Sequence, residues 1–288
     1  MADKIVLVAE TGSDITPTLA AEYGIRLVPM HVSMGGKALD DGSFPPEDVC
    51  AYYDSTGKVP QTSASSPADF ERVFDEIHAQ WPQAKILHLA YSAVTTCSYQ
   101  NAVLASEERD YVVSVDTKHV SIGQAAVTLE VAKWLQAHPE ADVQQAAQAA
   151  RAIAARCQMC FIPKNLDYLR AGGRVSNAAA LVGNLLGLHP CIEIIDGRLM
   201  AKKKYRGALD KIAAKVVHDF VEKHDPDRER IYLIWSPGLS EQSKAIVEQA
   251  ARDEGFGSAA WMKTGCVITC HGGPGAFGIV GVSENAAV

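Results

Sequence analysis

The sequence predicts an α/β fold in two parts, with residues 1–156 forming a mainly parallel unit and residues 157–288 a unit with a mixed sheet. Three observations predict it. Through the first half, short apolar runs alternate with longer stretches of helical periodicity, the arrangement that parallel strands joined by crossover helices require. Beyond an Ala-rich helical stretch ending at Arg156 the texture shifts to a series of strand-like runs. Two of these flank Asp196-Gly197, a two-residue turn signal that makes the second sheet at least partly antiparallel.

The candidate strands of the first half are Lys4 to Ala9, Arg26 to Ser33, Lys85 to Ala90 and Tyr111 to Val115. Between and after them, helical periodicity covers Thr16 to Tyr23, Pro46 to Ser55, Pro67 to Gln80, Thr95 to Glu107, Ser121 to Ala137 and Ala141 to Arg156. Ser66-Pro67 with Asp69 carries the signature of a helix start: a hydroxyl cap, a proline at the first helical position and an acid in the first turn. In the second half, Cys157 to Ile162, Pro190 to Ile195, Arg198 to Tyr205, Ile231 to Ser236, Thr264 to Thr269 and Gly278 to Val282 read as strands.

A chain of 288 residues buries a sizeable core without metals or disulfides, so no cofactor is expected. Its 27 basic and 34 acidic residues give a net charge of -7, unfavourable for a nonspecific grip on nucleic acid or anionic lipid. No apolar run is long enough to span a bilayer and the N-terminus lacks a signal-peptide pattern, so the expected location is cytoplasmic, with no more than transient membrane contact. Seven scattered cysteines read as reduced, mostly core residues, Cys157 and Cys160 included, since no second pair stands at zinc-site spacing.

Ligands of such folds sit at the carboxyl ends of strands, where four segments are candidates. Gln61 to Ser66 crowds four hydroxyls ahead of a helix; capping explains Ser66, whereas Thr62 and Ser63 lie too far upstream for it. Tyr91 to Ser98 is a second hydroxyl cluster at a strand-to-helix turn, suited either to capping by Thr95 or Thr96 or to holding an anion. In Leu169 to Ser176, Gly172-Gly173 can end one helix with Ser176 capping the next, or the glycines can set Arg174 against a partner or a phosphate. In Cys270 to Gly278, His271 is followed by glycines that let backbone N–H groups approach a ligand, which sets it apart from a histidine of purely structural role.

The chain resembles the DegV family over nearly its whole length. The segments that carry the resemblance are Asp14-Ile15, Val28-Pro29-Met30, Asp41-Gly42, Thr62-Ser63 through Phe70, Tyr99-Gln100 with Ala102, Asp116, Gly172 to Ser176, Asp196-Gly197, Lys204 with Arg206, and His271 to Gly278. The resemblance implies two interlocked α/β domains enclosing one long-chain fatty acid, with its carboxylate at the domain interface and no catalysis by the carrier itself. It implies Thr62, Ser63, Thr96, Cys97, His271 and Gly272 as the carboxylate site, and Arg174 and Arg206 as residues facing a phosphate or a fatty acid kinase subunit. Lys202 to Lys204 read as a solvated basic face. Three departures stand out: Ala9-Glu10-Thr11 and Thr96-Cys97-Ser98, which bear on head-group geometry and ligand choice, and Thr117.

Two other functions fit the residues. A hydrolase or acyltransferase would use Thr62 or Thr96 as nucleophile and His271 as base, with Asp116 or Glu10 orienting the imidazole. A binding protein for a small phosphorylated metabolite would use the His271 loop and Arg174.

Overall fold

A computed structural model describes residues 4–164, 166–175 and 187–283. The first half runs β1 (Ile5–Glu10), α1 (Pro17–Tyr23), β2 (Arg26–Val28), β3 (His31–Met34), β4 (Lys37–Asp40), α2 (Glu47–Thr56), β5 (Gln61–Ser63), α3 (Pro67–Gln80), β6 (Lys85–Ala90), α4 (Ser98–Ala105), β7 (Val112–Asp116), α5 (Ile122–Ala137) and α6 (Val143–Arg156). There follow β8 (Cys157–Ile162), α7 (Leu166–Gly172), β9 (Leu188–Ile195), β10 (Arg198–Arg206), α8 (Leu209–His224), β11 (Arg230–Trp235), α9 (Glu241–Asp253), β12 (Ser258–Lys263), α10 (Cys266–Gly272) and β13 (Phe277–Val282).

Among the described residues these strands form three sheets. The first is parallel throughout, in the order β2-β1-β6-β7, and its central strands β1 and β6 are buried almost from end to end, as sheets covered on both faces must be. A small antiparallel sheet, β4-β3-β5, stands beside it. The third is mixed, in the order β10-β9-β8-β13-β11-β12, with β11 and β12 parallel and the other pairs antiparallel.

Helix α5 explains how the halves are joined. All of its first eight residues are buried, leaving no solvent-facing side there, because it packs on β1 and β6 on one side and on β8, β11 and β13 on the other. One hydrophobic core therefore runs from Leu7 and Leu87 through Val127 and Val131 to Ile192 and Val280.

The structure departs from the sequence reading at several places. Arg26 to Ser33 is two strands in different sheets, parted at Pro29, which has no N–H for a ladder. Thr264 to Thr269 is not a strand: β12 ends at Lys263 and the apolar run forms the start of α10. Helix α4 begins only at Ser98, with neither Thr95 nor Thr96 as its cap. Strands β4, β5 and β12 and helices α8 and α9 were not foreseen. The Asp196-Gly197 hairpin forms as expected, with φ of 46° and 78° at the turn. Ser176 lies outside the described residues.

Among the described residues, no helix is long and apolar enough to cross a membrane, and no cluster of His, Cys, Asp or Glu is arranged to hold a metal ion. All seven cysteines are free, with Cys157 and Cys160 buried in β8.

Candidate functional site

Thr62 owes its position to the small sheet. Gln61–Ser63 pairs with β3, setting Thr62 opposite Val32 and Ser63 opposite His31, and the chain then enters α3 through a complete capping box between Ser66 and Asp69. His31 fastens the two together, its Nδ1 2.9 Å from Asp40 and its Nε2 2.9 Å from Asp69. Burial pulls this imidazole's pKa down, but the hydrogen-bonded Asp69 and Asp40 carboxylates outweigh it and hold the pKa above its ordinary value.

His271 is carried on α10, which is anchored from across the molecule. Asp14 Oδ1 accepts the Gly265 N–H at 2.6 Å and Asp41 Oδ1 the Cys266 N–H at 2.8 Å, so two carboxylates of the first half satisfy the first turn of a helix in the second. Gly265 permits this, since a Cβ there would stand 3.0 Å from Asp41. Asp14 also accepts the Ser121 hydroxyl at 2.5 Å. Burial raises both carboxyl pKa values, that of Asp14 strongly, against the pull of these hydrogen bonds.

At the junction, Thr62 Oγ1 and His271 Nε2 lie 2.9 Å apart. Burial, with the Arg174 guanidinium adding in the same direction, pushes the imidazole down to about 4, so it is neutral at neutral pH. Its Nδ1 has no partner among the described residues and faces Gly172, where a Cβ would intrude to 2.3 Å.

Two cavities meet here. One of about 60 Å³, the polar cavity, gathers Thr62, Ser63, Thr95, Thr96, Arg174 and His271, with Met30, Ala64, Leu169 and Val267 completing its wall. An apolar one of about 60 Å³ lies behind it, walled by Met159, Phe161, Ile234, Ile268 and Phe277. Tyr91, Leu199 and His271 line both and form the constriction, or neck, that parts them.

The structure thus brings Thr62, Ser63, Thr96, Arg174 and His271 to one cavity, and Gly272 to the other. Cys97 is exposed and lines neither, and Arg206 lies on the exposed edge strand β10, away from both. Neither acid considered as an orienter touches His271. Glu10 is fully buried and accepts from the Tyr91 N–H and the Gln124 amide, while Asp116 accepts from the N–H groups of Ala93 and Lys118. The Thr117 hydroxyl donates to the Ala90 carbonyl, a structural role. Leu199 was missed, because a leucine in a strand reads as core, and Tyr91 was read only as the start of the second hydroxyl cluster, with no role of its own.

The site is thus a hydroxyl and imidazole cluster beside an apolar cavity in an α/β fold. The chain belongs to the DegV family: the family model described as "Uncharacterised protein, DegV family" matches residues 4–284. It is 30% identical over 281 residues to a DegV domain-containing protein of Deinococcus radiodurans, covering 96% of this chain and 97% of that one. It is 26% identical to a protein of Thermotoga maritima named fatty acid-binding protein, covering 96% of each. Among solved structures, a DegV family protein from Thermus thermophilus described for its fatty acid binding matches with a TM-score of 0.87 at 27% identity, over 97% of this chain and 99% of that one.

Proposed function

We propose that this protein is a cytoplasmic, non-catalytic carrier of one long-chain fatty acid, with residues 1–156 and 157–288 as its two domains and the carboxylate held between them. The observation that carries this reading is the Thr62–His271 pair, donated by the two halves of the chain and parted from an apolar cavity only by side chains that line both. A carboxylate withdrawn from water must be matched by hydrogen bonds, and Thr62, Ser63, Thr96 and His271 supply hydroxyls and an imidazole for it. Each CH₂ buried contributes roughly 0.8 kcal/mol, so the chain provides most of the affinity and the polar cluster the orientation.

Cavities this small leave no room for an acyl chain without side-chain movement, since about 60 Å³ matches roughly two waters. Binding therefore includes repacking around the neck. Arg174, at the mouth, is placed to meet a phosphate added to the carboxylate by a separate kinase subunit, whereas Arg206, away from the cavities on β10, would face the kinase subunit itself.

Mass spectrometry of an organic extract of the purified protein tests the reading. Near-stoichiometric fatty acid of narrow chain-length range is expected. A lipid-free extract from protein that also takes up no added fatty acid would remove it in favour of a small phosphorylated anion.

A further inference from the structure

The neck between the two cavities holds a polar group that the site, as built from Thr62, Thr96 and His271, does not use. Tyr91 follows β6 directly, and its backbone N–H is taken by the buried Glu10 carboxylate at 3.0 Å. Its phenolic hydroxyl makes no hydrogen bond among the described residues, and the side chain is half-buried and lines both cavities. A half-buried hydroxyl with no protein acceptor is a donor left free for a ligand in the cavities that the side chain lines. The ring is pinned: Gly12 and Met30 stand against it, and Gly12 has no side chain to displace it. Burial, with the Asp14, Glu10 and Asp41 carboxylates adding to it and the Arg174 guanidinium of the polar cavity opposing it, raises the phenol's pKa and keeps it a proton donor. On the proposed-function reading the carboxylate lies in that cavity and the acyl chain passes the neck, so the first carbons of the ligand run beside the Tyr91 ring.

We infer that Tyr91 is a further ligand of the head group, donating its phenolic hydrogen to the carboxylate from the neck side while its ring packs on the first carbons of the chain. Tyr91 then confers selectivity as well as affinity. A donor aimed at a carboxylate makes a charge-assisted bond, stronger than the one it makes to a neutral hydroxyl, so it favours an acid over the alcohol of equal chain length.

The test compares Tyr91→Phe with the native protein, both delipidated, for binding of palmitic acid and of hexadecanol. Loss of the hydroxyl is expected to weaken the acid about tenfold and the alcohol less than about threefold, narrowing the preference between them. Leu199→Ala, at the same neck, is the packing control and is expected to weaken both ligands alike. The inference is overturned if Tyr91→Phe binds both ligands as the native protein does, or if it loses both equally in the manner of Leu199→Ala. If the native protein binds neither ligand, the carrier reading itself fails and the inference with it, a result distinct from the other two. Melting temperatures of the unliganded proteins show that each variant is folded.

Discussion

Thr62 Oγ1 and His271 Nε2, separated by 209 residues in sequence, lie 2.9 Å apart and are the polar contact on which the candidate site is built. Each arrives on a separately braced element, Thr62 on a strand fixed by His31 and Asp69, His271 on a helix fixed by Asp14 and Asp41. The contact itself can therefore be removed without dissolving what surrounds it. Thr62→Ala and His271→Ala are each expected to weaken fatty acid binding by about 1–3 kcal/mol, the cost of leaving a buried head group short of one hydrogen bond. Titration of delipidated protein with a fluorescent fatty acid measures this. Unchanged affinity in both variants would place the carboxylate elsewhere.

Gly172 is constrained by its neighbour and not by its own backbone. A methyl group there would stand 2.3 Å from His271 Nδ1, a distance that no pair of atoms tolerates without movement. The imidazole is the part free to yield, since its Nδ1 has no bond to break. Gly172→Ala should rotate His271 away from Thr62 and reduce fatty acid binding about as much as His271→Ala does, while thermal stability changes by less than about 1.5 kcal/mol. A variant that binds normally would show that the α7 turn gives way instead.

How much of this was legible depended on whether the determining contacts are local. The α3 cap at Ser66-Pro67 and the Asp196-Gly197 turn are set by adjacent residues, and both form as read. Strand β5 escaped because Gln61-Thr62-Ser63 has no apolar alternation and becomes a strand only through pairing with β3. The run Cys266 to Thr269 is short and apolar, and such runs do not distinguish strand from helix. Asp14 and Asp41, far away in sequence, favour the helix there by taking its first N–H groups. The same distinction governs the site. Thr62, Thr96 and His271 sit in hydroxyl- and glycine-rich segments that stand out in the sequence. Tyr91 and Leu199 acquire meaning only from the cavities they separate.

Asp14 makes stability depend on pH in a definite sense. Burial raises its folded pKa well above the usual carboxylate range, with the Asp41 charge contributing in the same direction. The folded protein then holds this proton more tightly than the unfolded chain does. Its contribution is most favourable below the unfolded value of about 3.9 and declines as pH rises toward and through the folded value. Asp14→Asn carries no ionisable group, so its stability relative to the native protein should increase between about pH 4 and pH 7. Urea denaturation across that range reads the slope directly, whatever constant difference the lost hydrogen bonds introduce. A difference independent of pH would mean that Asp14 titrates alike in both states.

Leu199 tests whether the neck controls exchange. It is buried on β10, bridges to Val175 and lines both cavities, so a chain moving between them must displace it together with Tyr91. Uptake that waits on such repacking is slower than association that needs no conformational change. Leu199→Ala removes the obstacle and also the contacts that it makes with the bound chain. Release should therefore quicken more than uptake does, with stability of the unliganded protein lower by about 2–5 kcal/mol as for other buried leucines. Stopped-flow exchange against a fluorescent fatty acid separates the two rates. If both are unchanged in a variant whose stability has fallen as expected, the acyl chain reaches the interior by a path that avoids the neck.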